Sequence, residues 1–374
     1  MIKKYLVGGA VRDQIMGIRT NDFDYVVVGS SPDEMIKLGF KPIGRDFPVF
    51  LHPDSHEEYA LARTEKKISK GYHGFEFYAS PDVTLEEDLK RRDITMNAIA
   101  MDDSGQFIDP FKGIEDIDNK IIRHISDAFA EDPLRVIRVA RFKARFPDFA
   151  IHKKTLQLLK KIVKNKEIQA LSAERVLDEI RKSFSDKNII IMLEVLDNCG
   201  ALEIILPNSH FSEIQGAANL FFTSSQASEL NTDDQIILLL LILYLGDNEI
   251  EKGAIVNAKK LKLPARSQHL INLVSQHFLQ LIDIDKADKK TQFDFILKVD
   301  FFRRPELLFS SLLLTKYLLN IKKKSHDLDV FMEKLKVFEN DLSMTKFKID
   351  PMFKGRELGQ EIQKKRFEIF QKLS

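Results

Sequence analysis

Two neighbouring stretches decide the fold of this chain: Leu6–Asp13, which is LVGGAVRD, and Asp22–Gly29, which is DFDYVVVG. In the first, a short strand runs into two glycines and a helix begins at once. Backbone N–H groups at such a turn, with the positive end of a helix behind them, suit a triphosphate. Taken alone, Gly8 and Gly9 are better explained as a tight turn with Arg12 on the surface, so the phosphate interpretation depends on the second stretch.

The second stretch supplies carboxylates. Asp22 and Asp24 are two apart, and residues two apart on a strand share one face, with Phe23 on the other. Two carboxylates on one face can hold a pair of divalent ions, and such ions can bind the attacking hydroxyl, the α-phosphate and the leaving pyrophosphate in a phosphoryl transfer. Acidic pairs before strands are common, so Asp22 and Asp24 alone are weak evidence for a metal site. They become stronger evidence because they lie shortly after the glycine turn.

A third stretch, Lys90–Ala98 (KRRDITMNA), places charged residues at the edge of an apolar segment, where they need partners. An arginine in this stretch can neutralise triphosphate charge, and Thr95 and Asn97 can hydrogen-bond a ribose or the backbone. For Asp93, a structural ion pair and a ligand role both remain open.

The fourth stretch, Glu131–Phe142 (EDPLRVIRVARF), predicts a helix that begins at Pro133 with Asp132 just before it. Arg135, Arg138 and Arg141 recur at intervals of three, while the residues between them are apolar. An acceptor at Asp132 beside the donor fork of Arg135 suits the Watson–Crick edge of a base. The alternative is that Asp132 simply caps the helix.

Composition places these motifs in a globular protein of 374 residues, 44% of them apolar, with a formal net charge of +1. Any RNA-binding surface must therefore be a local basic face. The lone Cys199 has no disulfide partner in the chain, which favours a reducing compartment. The apolar run near Met1 is too short for a signal peptide, so none is expected, and the apolar run Ile236–Leu245 is too short to cross a membrane. A cytoplasmic protein without membrane contact is expected.

The fold class expected is α+β: an N-terminal mixed α/β head over residues 1–125, followed by an all-helical neck (126–210) and an all-helical body and tail (211–374). The predicted head elements are strands at Lys4–Val7, Asp24–Val28, Pro48–Leu51 and Glu58–Arg63, and helices at Ala10–Met16 and Leu85–Arg92. The predicted later helices are Pro133–Phe146, Lys153–Lys164, Ala173–Ser185, Ile189–Cys199, Thr232–Leu245, Thr291–Asp300, Pro305–Lys322 and Arg356–Leu373. Thr64–Ser80 shows no periodicity and is interpreted as a mobile loop.

In this order, the four stretches resemble the bacterial class II tRNA nucleotidyltransferases, the CCA-adding enzymes of the polymerase beta-like superfamily. The resemblance continues through Gly44–Pro53, Glu57–Thr64 and Pro81–Glu86, and it covers residues 1–150 strongly and the remainder loosely. It implies a nucleotidyltransferase that adds or repairs the 3′-terminal CCA of tRNA from CTP and ATP, releases pyrophosphate and needs no nucleic-acid template.

The resemblance also implies residue roles. Asp22 and Asp24 bind catalytic Mg²⁺, while Asp132 and Arg135 read the base, with Glu131 orienting the arginine. The residues implied to hold the nucleotide are Gly8, Gly9, Arg12, Arg92, Arg138 and Arg141.

The remaining roles that it implies concern the third carboxylate, the loop and the RNA. A third head carboxylate often completes such sites; Glu57 and Glu58 are the candidates for it, and alternation alone does not say which of them faces the site. The Thr64–Ser80 loop helps the switch from C to A addition. Neck, body and tail grip the tRNA acceptor arm and TΨC region by shape and phosphates. The candidate lysines, for each of which a solvated face is the simpler interpretation, are Lys153, Lys154, Lys160, Lys161 and Lys164.

One departure concerns a phosphohydrolase module that many relatives carry in the helical half. Leu243 and Tyr244 stand where that module has a His-Asp pair, and they cannot ligate a metal. The dipeptide His326-Asp327 lies elsewhere in a lysine-rich segment and is interpreted as surface. We therefore expect a degenerate region without phosphatase or phosphodiesterase activity.

Four alternatives remain. A bacterial poly(A) polymerase shares the head but carries a more basic element than Gly44–Pro48, and a CC-adding enzyme conflicts with the full-length Thr64–Ser80 loop. Intact Asp22 and Asp24 argue against a non-catalytic tRNA-binding protein. The large helical half argues against a small-molecule nucleotidyltransferase.

Overall fold

The computed structural model describes residues 2–43, 49–67, 75–186, 188–246, 250–323, 328–350 and 352–373. The chain divides into two compact units, Met1–Pro207 and Asn208–Ser374. A mixed sheet occupies the N-terminal part and helices make up most of the remainder, so the predicted α+β fold class is confirmed.

The first unit is built on a seven-stranded sheet with the order β3-β4-β5-β2-β1-β8-β9. Its strands are β1 (Lys3–Val7), β2 (Asp24–Val28), β3 (Lys41–Ile43), β4 (Val49–Leu51), β5 (Glu58–Leu61), β8 (Ala100–Met101) and β9 (Phe107–Ile108). Strand β2 pairs with β1 antiparallel and with β5 parallel. In this register Val7, Asp24 and Glu58 are neighbours across three strands, so the glycine turn after β1 and both acidic strand starts share one edge.

Alternation along the strands gives the sheet two packed faces. Val26 of β2 belongs to one apolar cluster with Val7 and Leu89, whereas Val27 belongs to a second cluster with Met35 and Tyr59. Because the side-chain period of a strand is two, Asp24 lies on the Val26 face. Leu85 and Leu89, from the helix that precedes Arg92, pack on the same face.

The helices of the first unit alternate with the strands up to residue 126, and beyond that residue they make up most of the unit. They are α1 (Gly9–Ile15), α2 (Pro32–Lys37), α3 (Leu85–Lys90), α4 (Gly113–Asp118), α5 (Leu134–Arg145), α6 (Lys153–Lys164), α7 (Ala173–Ser185), α8 (Ile189–Asn198) and α9 (Ala201–Ile205). Short 3₁₀ turns occupy Thr95–Asn97, Asp127–Glu131 and Glu167–Ala170. A two-stranded parallel ladder joins β10 (Ile121–Ile122) to β11 (Ala150–Ile151).

The second unit is helical. Its helices are α10 (Phe211–Phe222), α11 (Ser225–Ser228), α12 (Thr232–Leu243), α13 (Gly253–Lys260), α14 (Ala265–Ile282), α15 (Lys289–Lys298), α16 (Pro305–Ile321), α17 (Leu328–Met344) and α18 (Gly355–Lys372). Helix α12 is apolar all round and buried from Ile236 to Leu243, as expected for a central helix. Among the described residues, no helix is both long and apolar enough to span a membrane.

Most predicted elements agree with the structure to within a few residues, and Asp24–Val28, Lys153–Lys164 and Ala173–Ser185 agree at both ends. The interpretation of Thr64–Ser80 as a loop is wrong at its two ends, which are strands. Strands β6 (Arg63–Lys67) and β7 (Phe75–Ala79) pair antiparallel as a hairpin, because Arg63–Lys67 has no apolar alternation but finds a partner strand. The segment 68–74 between them lies outside the described residues, as do Gly44–Pro48 and His326-Asp327.

Candidate active site

An open cavity of about 350 Å³ lies at the sheet edge where β1 ends and β2 begins. All four sequence stretches contribute residues to its lining, so segments far apart in the chain share one surface. The lining residues are Gly8, Gly9, Asp24, Arg91, Arg92, Asp93, Asn97, Asp132, Leu134, Arg135, Arg138 and Arg175.

The glycine turn is shaped to fit Arg92. Gly8 has a φ of 73°, in the left-handed region, and a Cβ at this position would lie 2.9 Å from the Nη1 atom of Arg92. Arg92 donates from Nη2 to buried Asp88 at 3.2 Å, and its buried Nε finds no hydrogen-bond partner among the described residues. A buried N–H without a partner is costly, so a ligand acceptor at this place would be favourable.

The two predicted catalytic aspartates are close but occupy different elements. Asp24 opens β2, whereas Asp22 precedes the strand in an exposed loop. Burial and the negative charges of Asp22 and Glu58 raise the pKa of Asp24, while the positive charge of Arg92 lowers it. Within the described ranges, no three His, Cys, Asp or Glu side chains are grouped closely enough to form a finished metal site. The repulsion around Asp24 nevertheless fits a place where a divalent cation would be stabilising.

The register identifies which glutamate accompanies Asp24. Glu58 is the direct neighbour of Asp24 across the β2–β5 pair, and its charge acts on Asp24. The charge of Glu57 instead raises the pKa values of Tyr25 and Tyr59, which lie on the opposite face of the sheet. Sequence alternation had left these two glutamates undecided.

Arg12 lies behind the cavity rather than in its lining. Its side chain is 3% exposed, pairs with Asp13 at 2.7 Å, and donates from Nη1 to Asn97 Oδ1 at 2.6 Å. Asn97 in turn donates to Asp93 at 3.0 Å and lines the cavity. Arg12 therefore reaches the site through Asn97.

Asp132 acts both as a helix cap and as one half of an ion pair. Its Oδ1 accepts the N–H of Leu134 at 3.1 Å at the start of α5. Its Oδ2 accepts from Nη2 of Arg175 at 2.8 Å. Asp132 therefore caps helix α5 and also lines the cavity.

The three arginines of α5 take separate partners. Arg135 donates to the carbonyl oxygens of Ala128 at 3.2 Å and of Arg91 at 2.5 Å. Arg138 binds Asp93 at 2.7 Å and lines the cavity, whereas Arg141 is buried against Glu179 at 2.5 Å and lies outside the lining. That Glu131 orients Arg135, by accepting a hydrogen bond from its guanidinium, stays a prediction.

Asp93 is held as a buried anion. Burial alone would raise its pKa, but the charge of Arg138 and hydrogen bonds from Asn97 and Arg138 bring the pKa well below its usual range. Asp93 therefore forms a structural ion pair with Arg138 and also lines the cavity.

Sequence reasoning missed Arg175 and did not assign Arg91 to the site. Arg175 follows Glu174 near the start of α7, and no local motif links it to Asp132, which lies 43 residues earlier. The five lysines of α6 that were considered for RNA binding are all exposed on its solvent side: Lys153, Lys154, Lys160, Lys161 and Lys164.

Comparisons with known proteins show which family the chain resembles. Residues 4–123 match the family described as the poly A polymerase head domain, and residues 148–211 match the probable RNA and SrmB-binding site of polymerase A. A CCA-adding enzyme of Coxiella burnetii is 46% identical over 305 residues, which cover 82% of this chain and 79% of that protein.

Another relative and a solved structure extend the comparison. A multifunctional CCA protein of Neisseria gonorrhoeae is 41% identical over 332 residues, which cover 82% of this chain and 80% of that protein. A solved structure of a CCA-adding enzyme with ATP has a TM-score of 0.69 and 20% identity, covering 100% of this chain and 88% of that chain. At this identity the structural likeness shows a shared fold.

Proposed function

The chain belongs to the class II tRNA nucleotidyltransferases, the family of the CCA-adding enzymes, and from that premise we propose that its cavity binds CTP and ATP to build the CCA end of tRNA. One observation carries this proposal. The glycine turn, an acidic strand start and the Asp132/Arg135 pair, which come from distant parts of the chain, line the same cavity. A phosphate site, a metal site and a base-reading site are what nucleotidyl transfer needs.

The phosphate end of the nucleotide is proposed to lie at Gly8, Gly9 and Arg92. Gly8 leaves room for the guanidinium of Arg92, whose buried Nε is without a hydrogen-bond partner among the described residues. A phosphate oxygen would accept from this donor and satisfy it. Arg12 supports the site from behind through Asn97.

Use of a divalent metal is a property of the nucleotidyltransferase family, and we propose Mg²⁺ with Asp22 and Asp24 as its ligands and Glu58 as the third carboxylate. The neighbouring negative charges that raise the pKa of Asp24 fit a cation between these groups. When bound, such ions lower the pKa of the attacking hydroxyl and stabilise the leaving pyrophosphate. The aspartates' own task is to hold their oxygens at the strand edge beside the glycine turn.

Base selection is assigned to Asp132 and Arg135. Cytosine and adenine each present an amino donor beside a ring-nitrogen acceptor, which an aspartate and an arginine match. Uracil and guanine present a carbonyl oxygen beside a ring N–H, which leaves both protein groups mismatched. One pair of side chains thus accepts both CTP and ATP and rejects UTP and GTP.

The tRNA is proposed to bind through its acceptor arm and TΨC region, with the exposed lysines of α6 (Lys153–Lys164) as candidate phosphate contacts. The predicted domains 1–125, 126–210 and 211–374 would serve as catalytic head, base-reading neck and tRNA-binding body. A tRNA substrate and a lone buried thiol at Cys199 agree with a cytoplasmic location, which remains a prediction.

The test is extension of a tRNA transcript ending at the discriminator base, with Mg²⁺ and CTP, ATP or both, resolved at single nucleotides. Addition of CC from CTP, then one A with both nucleotides, then a stop is the expected result. An unlimited A ladder would instead identify a poly(A) polymerase, and arrest at CC a CC-adding enzyme. Binding of tRNA without any extension would contradict catalysis.

A further inference from the structure

Helix α7 (Ala173–Ser185) forms a wall behind the base-reading residues. Arg175 and Glu179 lie one turn apart and therefore share a face of this helix. Arg175 binds Asp132, while Glu179 binds Arg141 at 2.5 Å and lies 3.6 Å from Arg138. One face of α7 thus contacts three residues that the sequence had assigned to the nucleotide.

The contact between Arg175 and Asp132 has a defined geometry. The guanidinium spans both carboxylate oxygens, with Nη2 2.8 Å from Oδ2 and Nη1 3.4 Å from Oδ1. The N–H of Leu134 adds a third hydrogen bond, to Oδ1 at 3.1 Å. A carboxylate has about four acceptor positions, so these bonds to described residues fix its plane and leave an acceptor position on Oδ2.

We propose that Arg175 is a positioning residue that aims the Asp132 carboxylate at the amino group of the incoming base, and so sets the choice of CTP over UTP and of ATP over GTP. This inference rests on the proposed function. Arg175 lines the cavity and its side chain is 26% exposed, so it borders the space that the base would fill. Held from two sides, Asp132 cannot turn away from an incorrect base, and the mismatch with a carbonyl oxygen retains its full cost.

The proposal predicts a specific defect. Without Arg175, the Asp132 carboxylate keeps its capping bond to Leu134 but gains rotational freedom. A mobile carboxylate discriminates less between an amino donor and a carbonyl acceptor, whereas the phosphate and metal ends of the site are unchanged. Selectivity should therefore fall more than the maximum rate.

The experiment uses the full chain and measures initial rates of extension of a tRNA transcript ending at the discriminator base. The ratio of kcat/KM for CTP to that for UTP is compared among wild type, Arg175→Ala, Arg175→Lys and Arg181→Ala. Arg181, on the same helix and 3.9 Å from Asp178, is the matched control. The same ratio for ATP against GTP is measured on a transcript ending in CC.

Arg175→Ala is expected to lower both ratios by about tenfold or more, because one specifying hydrogen bond loses its geometry. Arg175→Lys should lie between, since one ammonium cannot span two oxygens, and Arg181→Ala should match wild type. Ratios within about twofold of wild type, or equal losses for all four nucleotides, would overturn the proposal. If Arg175→Ala does not fold, the ratios of Arg175→Lys decide in the same way. Failure of the wild type to extend tRNA would instead refute the proposed function.

Discussion

At the scale of single residues, the carboxylates at the sheet edge differ by which face of β2 and β5 they occupy. Asp24 and Glu58 are register neighbours whose charges act on each other, whereas Glu57 acts on the tyrosines of the opposite face. Neighbouring anions destabilise the folded chain in the absence of a cation. Such an arrangement is expected at a catalytic site and is unexpected for a purely structural one.

We therefore predict different outcomes for three isosteric substitutions. Asp24→Asn should lower kcat/KM for CTP addition by about 1000-fold, because metal stabilisation of the transition state is worth several kcal/mol. Glu58→Gln should lower it by about tenfold or more, and Glu57→Gln, the matched control, should leave it within about twofold. Thermal unfolding in EDTA should give a Tm for Asp24→Asn at or above that of wild type. Equal activity of the Glu57 and Glu58 variants would contradict the assignment of the third carboxylate.

Two arginines, Arg12 and Arg175, show what the sequence could not supply at this scale. The resemblance implies that Arg12 holds the nucleotide, but its side chain is buried between Asp13 and Asn97, and its guanidinium lies 5.0 Å from the ring of Phe146. Arg175 was missed because its partner is distant in the chain. The surroundings of both arginines depend on contacts between segments far apart in the chain, and no local sequence pattern encodes those contacts.

At the scale of elements, α4 (Gly113–Asp118) supports the turn that carries Asn97. Asp109 caps α4 by accepting the N–H groups of Gly113 at 2.7 Å and Ile114 at 2.8 Å. A Cβ on Gly113 would lie 2.3 Å from the carbonyl oxygen of Thr95. The helix and the turn therefore approach as closely as their backbones allow.

This contact predicts that Gly113→Ala is destabilising. Overpacking against backbone atoms costs about 1–3 kcal/mol, which corresponds to a Tm about 3–10 °C lower for a unit of this size. The control is Gly216→Ala on α10, where a Cβ meets nothing within 4 Å and alanine favours the helix by about 0.5–1 kcal/mol. Thermal unfolding followed by circular dichroism measures both. Equal effects of the two substitutions would show that α4 can move away from Thr95 without cost.

The elements themselves were predicted best where one period repeats. β2, α6 and α7 were bounded correctly because alternation or helical spacing persists between clear turn signals. Strands β8 to β11 have two residues each, too few to show a period. The hairpin β6–β7 was missed because pairing with a partner strand, rather than apolar alternation, orders those residues.

At the scale of the molecule, the predicted head and nearly all of the predicted neck fall in one compact unit, Met1–Pro207, and ion pairs join the two parts. Asp93, beside the 3₁₀ turn, binds Arg138 of α5, and Asp13 of α1 binds Arg145 at 2.8 Å. The proposed boundary at residue 125 therefore separates sequence motifs that the fold connects through ion pairs.

The Asp93–Arg138 pair gives a pH-dependent prediction. The pKa of Asp93 is depressed, so its contribution to stability is complete above the ordinary aspartate pKa of about 3.9 and is lost as the pH falls towards the folded-state value. Asp93→Asn should lower stability by about 3 kcal/mol at pH 7, since it leaves part of the Arg138 charge uncompensated. Chemical denaturation of both proteins from pH 7 to pH 3 should show this difference shrinking below about pH 4. A difference that is constant with pH would exclude the carboxylate charge as its source.

The last prediction concerns the second unit, for which we expect no phosphohydrolase activity. Leu243 and Tyr244 are fully buried, the Tyr244 hydroxyl accepts from Asn257 Nδ2 at 2.7 Å, and its ring packs directly on Gly253. The place of a metal-binding His-Asp pair is thus filled by a packed core, and restoring ligands there would bury polar groups against Gly253. We expect the pure protein, supplied with Mg²⁺, Mn²⁺, Ni²⁺ or Co²⁺, to release no product from bis(p-nitrophenyl) phosphate or 2′,3′-cyclic AMP above a chelated control. Turnover that EDTA abolishes and that Asp24→Asn retains would refute this, because the activity would then reside outside the nucleotidyltransferase site.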